Sequence, residues 1–172
     1  EAPLETTIGE NGVTVWRWML DVEPAPFYAP YLKFKGNTDR KQHYEVHYPS
    51  HAIIKAIFAP AGSGGEGRPL HEDTFLMDSY NFMTPIDENT TKYYWFQMRN
   101  FAPDDAKISA EFATSVRGAF DEDRAVLTAV HKGMANKRTP NLDLEIDVGP
   151  LRFRRNLAKL IEAEQAQKVV AE

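Results

Sequence analysis

The chain has 172 residues, long enough for one domain with a sizeable core and short for two. Its 20 basic and 25 acidic residues give a net charge of −5 with both signs mixed along the chain, so no basic stripe can follow a phosphate backbone and nucleic acid is not expected as a partner. With no cysteine, the chain excludes disulfides, thiolate zinc sites, a cysteine nucleophile and cysteine-ligated iron-sulfur clusters, leaving oxygen and imidazole ligands for any metal.

The first half carries strand patterns at residues 13–20, 42–48, 52–59, 74–83 and 92–101, where alternation or aromatic and β-branched density predicts an antiparallel sheet. Pro24, Pro26 and Pro30 interrupt the chain after the first strand, Pro49 follows the second, and Pro85 with residues 87–90 turns the fourth into the fifth. After Pro103 the period becomes helical: Asp104 or Asp105 caps a helix to about residue 134, and Asp147 with Pro150 opens a shorter one to about residue 166. The expected fold is a single α+β domain over residues 1–172, a helix-grip arrangement in which a long C-terminal helix packs an antiparallel sheet around a ligand cavity. No apolar run approaches the roughly eighteen residues of a membrane span, and the start EAPLETT has none of the regions of a signal peptide, so a cytoplasmic protein is expected.

Several motifs have ordinary explanations. Gly62, Gly64 and Gly67 spell GxGxxG, but a phosphate-binding turn needs a helix N-terminus directly after it, and Arg68-Pro69 leads into a strand; a flexible hairpin tip is expected. The sequon at Asn89 reads as a turn. His43 and His47 share a strand face about 13 Å apart at roughly 3.3 Å per residue, too far for one metal, and read as ordinary sheet residues. His51, His71 and His131 stand alone. Trp16 and Trp18, with the run Tyr93-Tyr94-Trp95-Phe96, suit either a core or the wall of a pocket for a flat apolar ligand.

In AFDEDRAVLTAV the long helix carries three consecutive acids. Phe112, Val116, Ala119, Val126 and Val130 recur at steps of three, four or seven, and position 123 completes that stripe. Asp123 is therefore expected to face inward, with Asp121 and Glu122 solvated. A carboxylate so placed needs a basic partner, hydrogen-bond donors or a metal ion.

Three segments, NFMTPIDENTTKYYWFQMRNF, AFDEDRAVLTAV and DVGPLRFRRNLAKLIEAE, together with VTVWRWMLDVEPAPFY near the start, resemble in order and spacing the C-terminal catalytic domain of Rieske non-haem iron oxygenases, in the vanillate O-demethylase and dicamba monooxygenase branch. The resemblance implies a domain of the START/Bet v 1-like helix-grip type. It also implies mononuclear Fe(II) held by two histidines and one carboxylate with positions open for O2. The matching carboxylate is Asp123, in Glu122-Asp123-Arg124. The family's histidine pair, and the Rieske domain with its two-iron two-sulfur cluster, lie upstream of the matched region; none of the five histidines here matches that pair, so this portion alone is expected to be inactive. Relatives often carry a substrate-touching histidine three residues before the Thr-Pro of the motif, where this chain has Asn81, and Ile86 replaces the usual glutamate. Asn81 is thus the candidate substrate-binding residue, able to donate and accept hydrogen bonds. The implied activity is hydroxylation or O-demethylation of an aromatic acid, a methoxy group leaving as formaldehyde, with electrons from a separate reductase and a homotrimeric assembly. The other reading is a non-catalytic helix-grip module that binds a hydrophobic small molecule.

Overall fold

Alternating side chains dominate the first hundred residues, and they form a six-stranded antiparallel sheet in sequential order: β1 (Glu5–Ile8), β2 (Gly12–Val22), β3 (Thr38–His47), β4 (His51–Pro60), β5 (Phe75–Pro85) and β6 (Thr91–Arg99). These coordinates are a computed structural model, which describes residues 2–136 and 142–171. The five anticipated strands are present with ends shifted by a few residues, and β1 is an addition, a four-residue edge strand pairing Glu5 with Trp16 and Ile8 with Val13. After the sheet come two helices, α1 (Ala106–Ala135) and α2 (Val148–Ala171), the latter entered through a short turn of 3-10 helix at Glu145–Asp147. No helix among the described residues is long and apolar enough to cross a membrane.

The chain forms two compact units. One comprises the sheet, through Phe101, together with α2 and the turn that starts it at Leu144; the other is Ala102–Asp143, built on α1.

In the sheet unit, register sorts the side chains onto two faces, because residues directly opposite in an antiparallel pair share a face. One face carries Val13, Val15, Arg17 and Met19 of β2, then Arg40, Gln42, Tyr44 and Val46 of β3. It continues through Ala52, Ile54, Ala56 and Phe58 to Phe75, Met77, Ser79 and Asn81. Helix α2 packs over β1 and β2 on this face, so closely that a Cβ on Gly149 would lie 2.4 Å from Val15 Cγ2. Phe153 of α2 stacks on Tyr48 at 5.0 Å. The core lies at the other end of the face, where Tyr28, Phe58, Phe75 and Phe101 meet with ring centroids 4.5 to 5.7 Å apart.

The loop between β4 and β5 holds the three glycines of the GxGxxG string, and it is pinned rather than a loose tip. The buried carboxylate of Asp39, 2% exposed, accepts from Gly64 N at 2.8 Å through Oδ2 and from Asp21 N at 2.9 Å through Oδ1. A Cβ on Gly64 would sit 2.5 Å from Asp39 Cβ and 2.7 Å from Trp18. Asp21 has a left-handed φ of 52° within a register irregularity between Met19 and Val22, and Asn37 Nδ2 donates to its side chain at 2.9 Å. The sequon at Asn89 is a turn: Asn89 N donates to Asp87 Oδ1 at 2.8 Å and Ile86 N to the Thr90 carbonyl at 2.8 Å.

In the α1 unit, Asp105 is the N-cap, its Oδ1 accepting from Lys107 N at 2.9 Å and Ile108 N at 3.0 Å. Phe112 and Val116 are buried, whereas residues 121–136 are exposed around the whole helix.

Removing Asp39 leaves the buried Gly64 amide and the part-buried Asp21 amide without their acceptor. Asp39→Ala should lower unfolding free energy by about 2–4 kcal/mol in urea titration, since a buried donor left unsatisfied costs roughly 1–3 kcal/mol and a part-buried one less. Asp73→Ala, on the exposed part of the same loop, should shift the midpoint little, and equal effects would contradict this role for Asp39.

Candidate functional site

The candidate substrate residue, Asn81, lies near the middle of β5 and is 1% exposed. Its Nδ2 donates to the Ser79 carbonyl at 3.0 Å and to the Ala52 carbonyl of β4 at 3.4 Å, with Ser79 Oγ at 3.5 Å. Its Oδ1 accepts from the Tyr93 hydroxyl at 2.8 Å, a diagonal contact to β6 made available because Met83 opposes Tyr93 and Asn81 opposes Trp95. The polar atoms of this buried amide are thus engaged, as burial demands. Tyr93 is 44% exposed, so it is Tyr93, and not the amide behind it, that presents surface here.

The aromatic run does not line one wall. Successive strand residues point to opposite faces, so Tyr93 and Trp95 accompany Asn81, while Tyr94 and Phe96 lie on the other face with Trp16 and Trp18. On that second face Tyr80 stacks on Phe96 at 4.9 Å, Phe82 stacks on His51 at 4.5 Å, and the Lys41 ammonium lies 4.6 Å from the Trp16 ring and 5.7 Å from that of Trp18.

The second face also carries a polar cluster that the sequence reading missed. Glu45 stands between His43 and His47 on β3, its Oε1 2.8 Å from His43 Nε2 and its Oε2 3.1 Å from His47 Nε2. Lys55 Nζ, from β4, lies 2.7 Å from Oε1. Burial works to raise the Glu45 pKa, but the hydrogen bonds from Lys55, His47 and His43 overcome it and hold the carboxyl at about 2. Burial holds the His43 imidazole below its ordinary value, against the pull of Glu45. The i, i+2 spacing around an acid is the signal that could have found this cluster. The two histidines are sheet residues, as expected, and each is committed to the same carboxylate.

On α1, Asp123 is exposed, as are Val126 and Val130 of the same stripe; exposure there belongs to the whole second half of the helix and singles out no face. Asp123 makes no ion pair or hydrogen bond among the described residues, whereas Asp121 pairs with Arg124 at 3.1 Å and is solvated, as is Glu122. A facial triad needs two imidazoles beside its carboxylate. Among the described residues no group of three histidine, aspartate or glutamate side chains is placed to hold a metal ion. The donor set on these residues therefore does not by itself fit mononuclear iron, and Asp123 offers a single unengaged carboxylate.

The sheet and terminal helix define a class, the α+β helix-grip domains. A crystal structure of dicamba monooxygenase bound to 3,6-dichlorosalicylic acid has the same fold, with a TM-score of 0.82 and 20% identity, over 96% of this chain and 48% of that one. The chain belongs to the vanillate O-demethylase oxygenase C-terminal domain family, whose profile matches residues 1–163. It is 29% identical over 174 residues to a vanillate O-demethylase oxygenase subunit of Pseudomonas sp. (strain ATCC 19151), covering 96% of this chain and 52% of that protein. It is 31% identical over 160 residues to the toluene-4-sulfonate monooxygenase system iron-sulfur subunit of Comamonas testosteroni, covering 92% of this chain and 46% of the relative. The chain spans about half the length of the curated relatives it matches.

The Glu45 cluster makes a pH prediction. Its folded pKa of about 2 lies below the unfolded 4.5, so its stabilisation is full above pH 4.5 and is lost as pH falls towards 2. In Glu45→Gln the thermal midpoint should fall less steeply than wild type across that window. Parallel curves would remove Glu45 as a source of acid sensitivity.

Proposed function

We propose that this chain is the catalytic, C-terminal domain of a Rieske-type oxygenase that hydroxylates or O-demethylates an aromatic acid with O2. The observation that carries this reading is the family match over residues 1–163. The names of the relatives support it: an oxygenase subunit for vanillate and an iron-sulfur subunit for toluene-4-sulfonate, both aromatic acids. In this reading residues 1–172 act as one catalytic domain.

Asp123 supplies the carboxylate ligand of mononuclear Fe(II), and its lack of a basic partner among the described residues leaves it available for that role. The two imidazoles and the two-iron two-sulfur cluster come from other residues of the complete protein, and a separate reductase delivers electrons. By analogy the assembly is a homotrimer. The iron would supply oxygen activation when bound, while the sheet residues would hold the ring, a division usual for cofactor enzymes. Asn81 stands at the motif position where relatives often carry a substrate-touching histidine, and is the candidate substrate-binding residue of this reading.

The test uses the complete oxygenase with its reductase. Substrate-dependent O2 consumption with vanillate or a related aromatic acid, and formaldehyde release where a methoxy group is present, are expected; a protein that binds such acids without O2 consumption would instead be a binding module. Asp123→Asn should lose mononuclear iron and at least about 100-fold in activity while keeping its fold and its cluster, because ligand loss empties the site. Retained iron would remove Asp123 from the ligand set.

Residues 1–172 alone should bind Fe(II) weakly and show no turnover, one carboxylate being unable to hold the ion against water. Stoichiometric iron after dialysis would contradict this.

A further inference from the structure

The hairpin from β1 to β2 ends in the dipeptide Asn11-Gly12. Asn11 is exposed in the connection of residues 9–11, where Gly9 N donates to the Gly12 carbonyl at 2.9 Å. Among the described residues no hydrogen bond holds the Asn11 side-chain amide, and no loop hydrogen bond uses the Gly12 amide. Other asparagines are occupied or shielded. The amide of Asn37 donates to Asp21, that of Asn136 to the Lys132 carbonyl, and Asn100 both accepts from Leu76 N and donates to the Thr74 carbonyl. Asn89 is exposed, but the branched Thr90 follows it. Gly12 is fixed by the sheet: a Cβ there would run into the Val46 carbonyl oxygen of β3, so no side chain can stand at that position to shield the peptide nitrogen.

We propose that Asn11-Gly12 is a self-modifying site, at which the folded protein loses ammonia and converts Asn11 to isoaspartate and aspartate with water as co-reactant. The Gly12 nitrogen gives up its proton to hydroxide and attacks Asn11 Cγ. The Cγ–Nδ2 bond breaks, and Nδ2 takes up a proton and leaves as ammonia. A succinimide ring remains, its closure favoured because nucleophile and carbonyl belong to neighbouring residues and Gly12 puts no Cβ in the way. Water then adds to one of the two ring carbonyls. Opening at Cγ gives aspartate. Opening at the main-chain carbon gives isoaspartate, in which the chain runs through Cβ and Cγ and the former main-chain carbonyl has become a free carboxylate. Either product adds a negative charge to a chain already at −5. The carbonyl lost in isoaspartate is a structural one, since Tyr48 N donates to it at 2.9 Å and the Tyr48 ring stacks on Phe153 of α2 at 5.0 Å. Isoaspartate therefore loosens the start of β2 from the end of β3 beside the contact with α2, whereas aspartate keeps that hydrogen bond.

The experiment holds the complete protein, folded, in warm and mildly alkaline heavy-oxygen water and follows it by peptide mapping, ion exchange and enzymatic methylation of isoaspartate. The first acidic variant to grow in should carry heavy oxygen at residue 11 and accept methyl groups there, with Asn37, Asn89 and Asn100 unchanged. Its rate should rise with pH, because the attacking nitrogen must be deprotonated. The separated isoaspartate form should melt about 2–4 °C below the unmodified protein, the shift expected for a loss near one hydrogen bond in a chain of this size. Asn11→Asp should melt with wild type, and Asn11→Gln, whose longer side chain must close a larger ring, should form no early acidic variant. A folded protein that stays intact at Asn11 while the same segment converts as an unfolded peptide would overturn the proposal, because the hairpin would then be withholding the Gly12 nitrogen. Conversion led by another asparagine would overturn it equally, and neither result touches the oxygenase reading.

Discussion

The Asp39 carboxylate is the tie on which the sheet unit depends. It accepts from Asp21 N and Gly64 N, and so joins β3 to the irregular end of β2 and to the long β4–β5 loop. An ionised carboxylate is costly to bury unless donors are fixed in place for it, and these donors are backbone amides, which cannot rotate away. The dependence runs both ways: Asp21 holds its left-handed φ of 52° where its amide meets the carboxylate, and Gly64 comes so near Asp39 and Trp18 that no larger residue would fit. With these segments anchored, the aromatic cluster of Tyr28, Phe58 and Phe75 closes the adjacent end of the opposite face, and burial raises the Tyr28 hydroxyl pKa.

From that anchored end the register extends to the candidate residues. A shift of one residue in β5 would exchange Asn81 with Phe82 and carry the amide to the face of Glu45. The two faces are chemically different. The Glu45 face holds an interlocked set of a carboxylate, two imidazoles and an ammonium, whose hydrogen bonds stabilise one another and leave little capacity for a ligand. The Asn81 face places a satisfied amide behind a partly exposed tyrosine and a tryptophan, which suits orientation of a flat molecule by few polar groups.

Local signals in the sequence were enough for most of the elements: alternation marks five strands, Asp104 or Asp105 marks the start of α1, where Asp105 is the cap, and Pro150 lies in the first turn of α2. Strand β1 was illegible because ETTI is four residues at an edge, mostly exposed, and too short for a period to emerge. The role of Asp39 was illegible for a different reason. Its partners are backbone amides 18 and 25 residues away, and an amide donor leaves no trace in residue identity. The aromatic run was legible as a set of rings, whereas its division between faces required register. Asp123 was selected by a helical stripe of which Phe112 and Val116 are buried but Val126 and Val130 are exposed, so periodicity named a residue without supplying what would cover it.

Asparagine at position 81 also changes what such a position can do. A histidine presents either ring nitrogen as donor or acceptor, and its tautomer and charge follow pH and surroundings. An amide held by two carbonyls has no such freedom: it does not titrate in the physiological range, and turning it over would cost both donated bonds and create two facing acceptors. The direction of the Tyr93 hydrogen bond is therefore set by strand geometry, through the Ser79 and Ala52 carbonyls. Those carbonyls belong to β4 and to β5 itself, the ordered middle of the sheet. The direction of the Tyr93–Asn81 hydrogen bond thus follows from the same register that places Asn81 on its face.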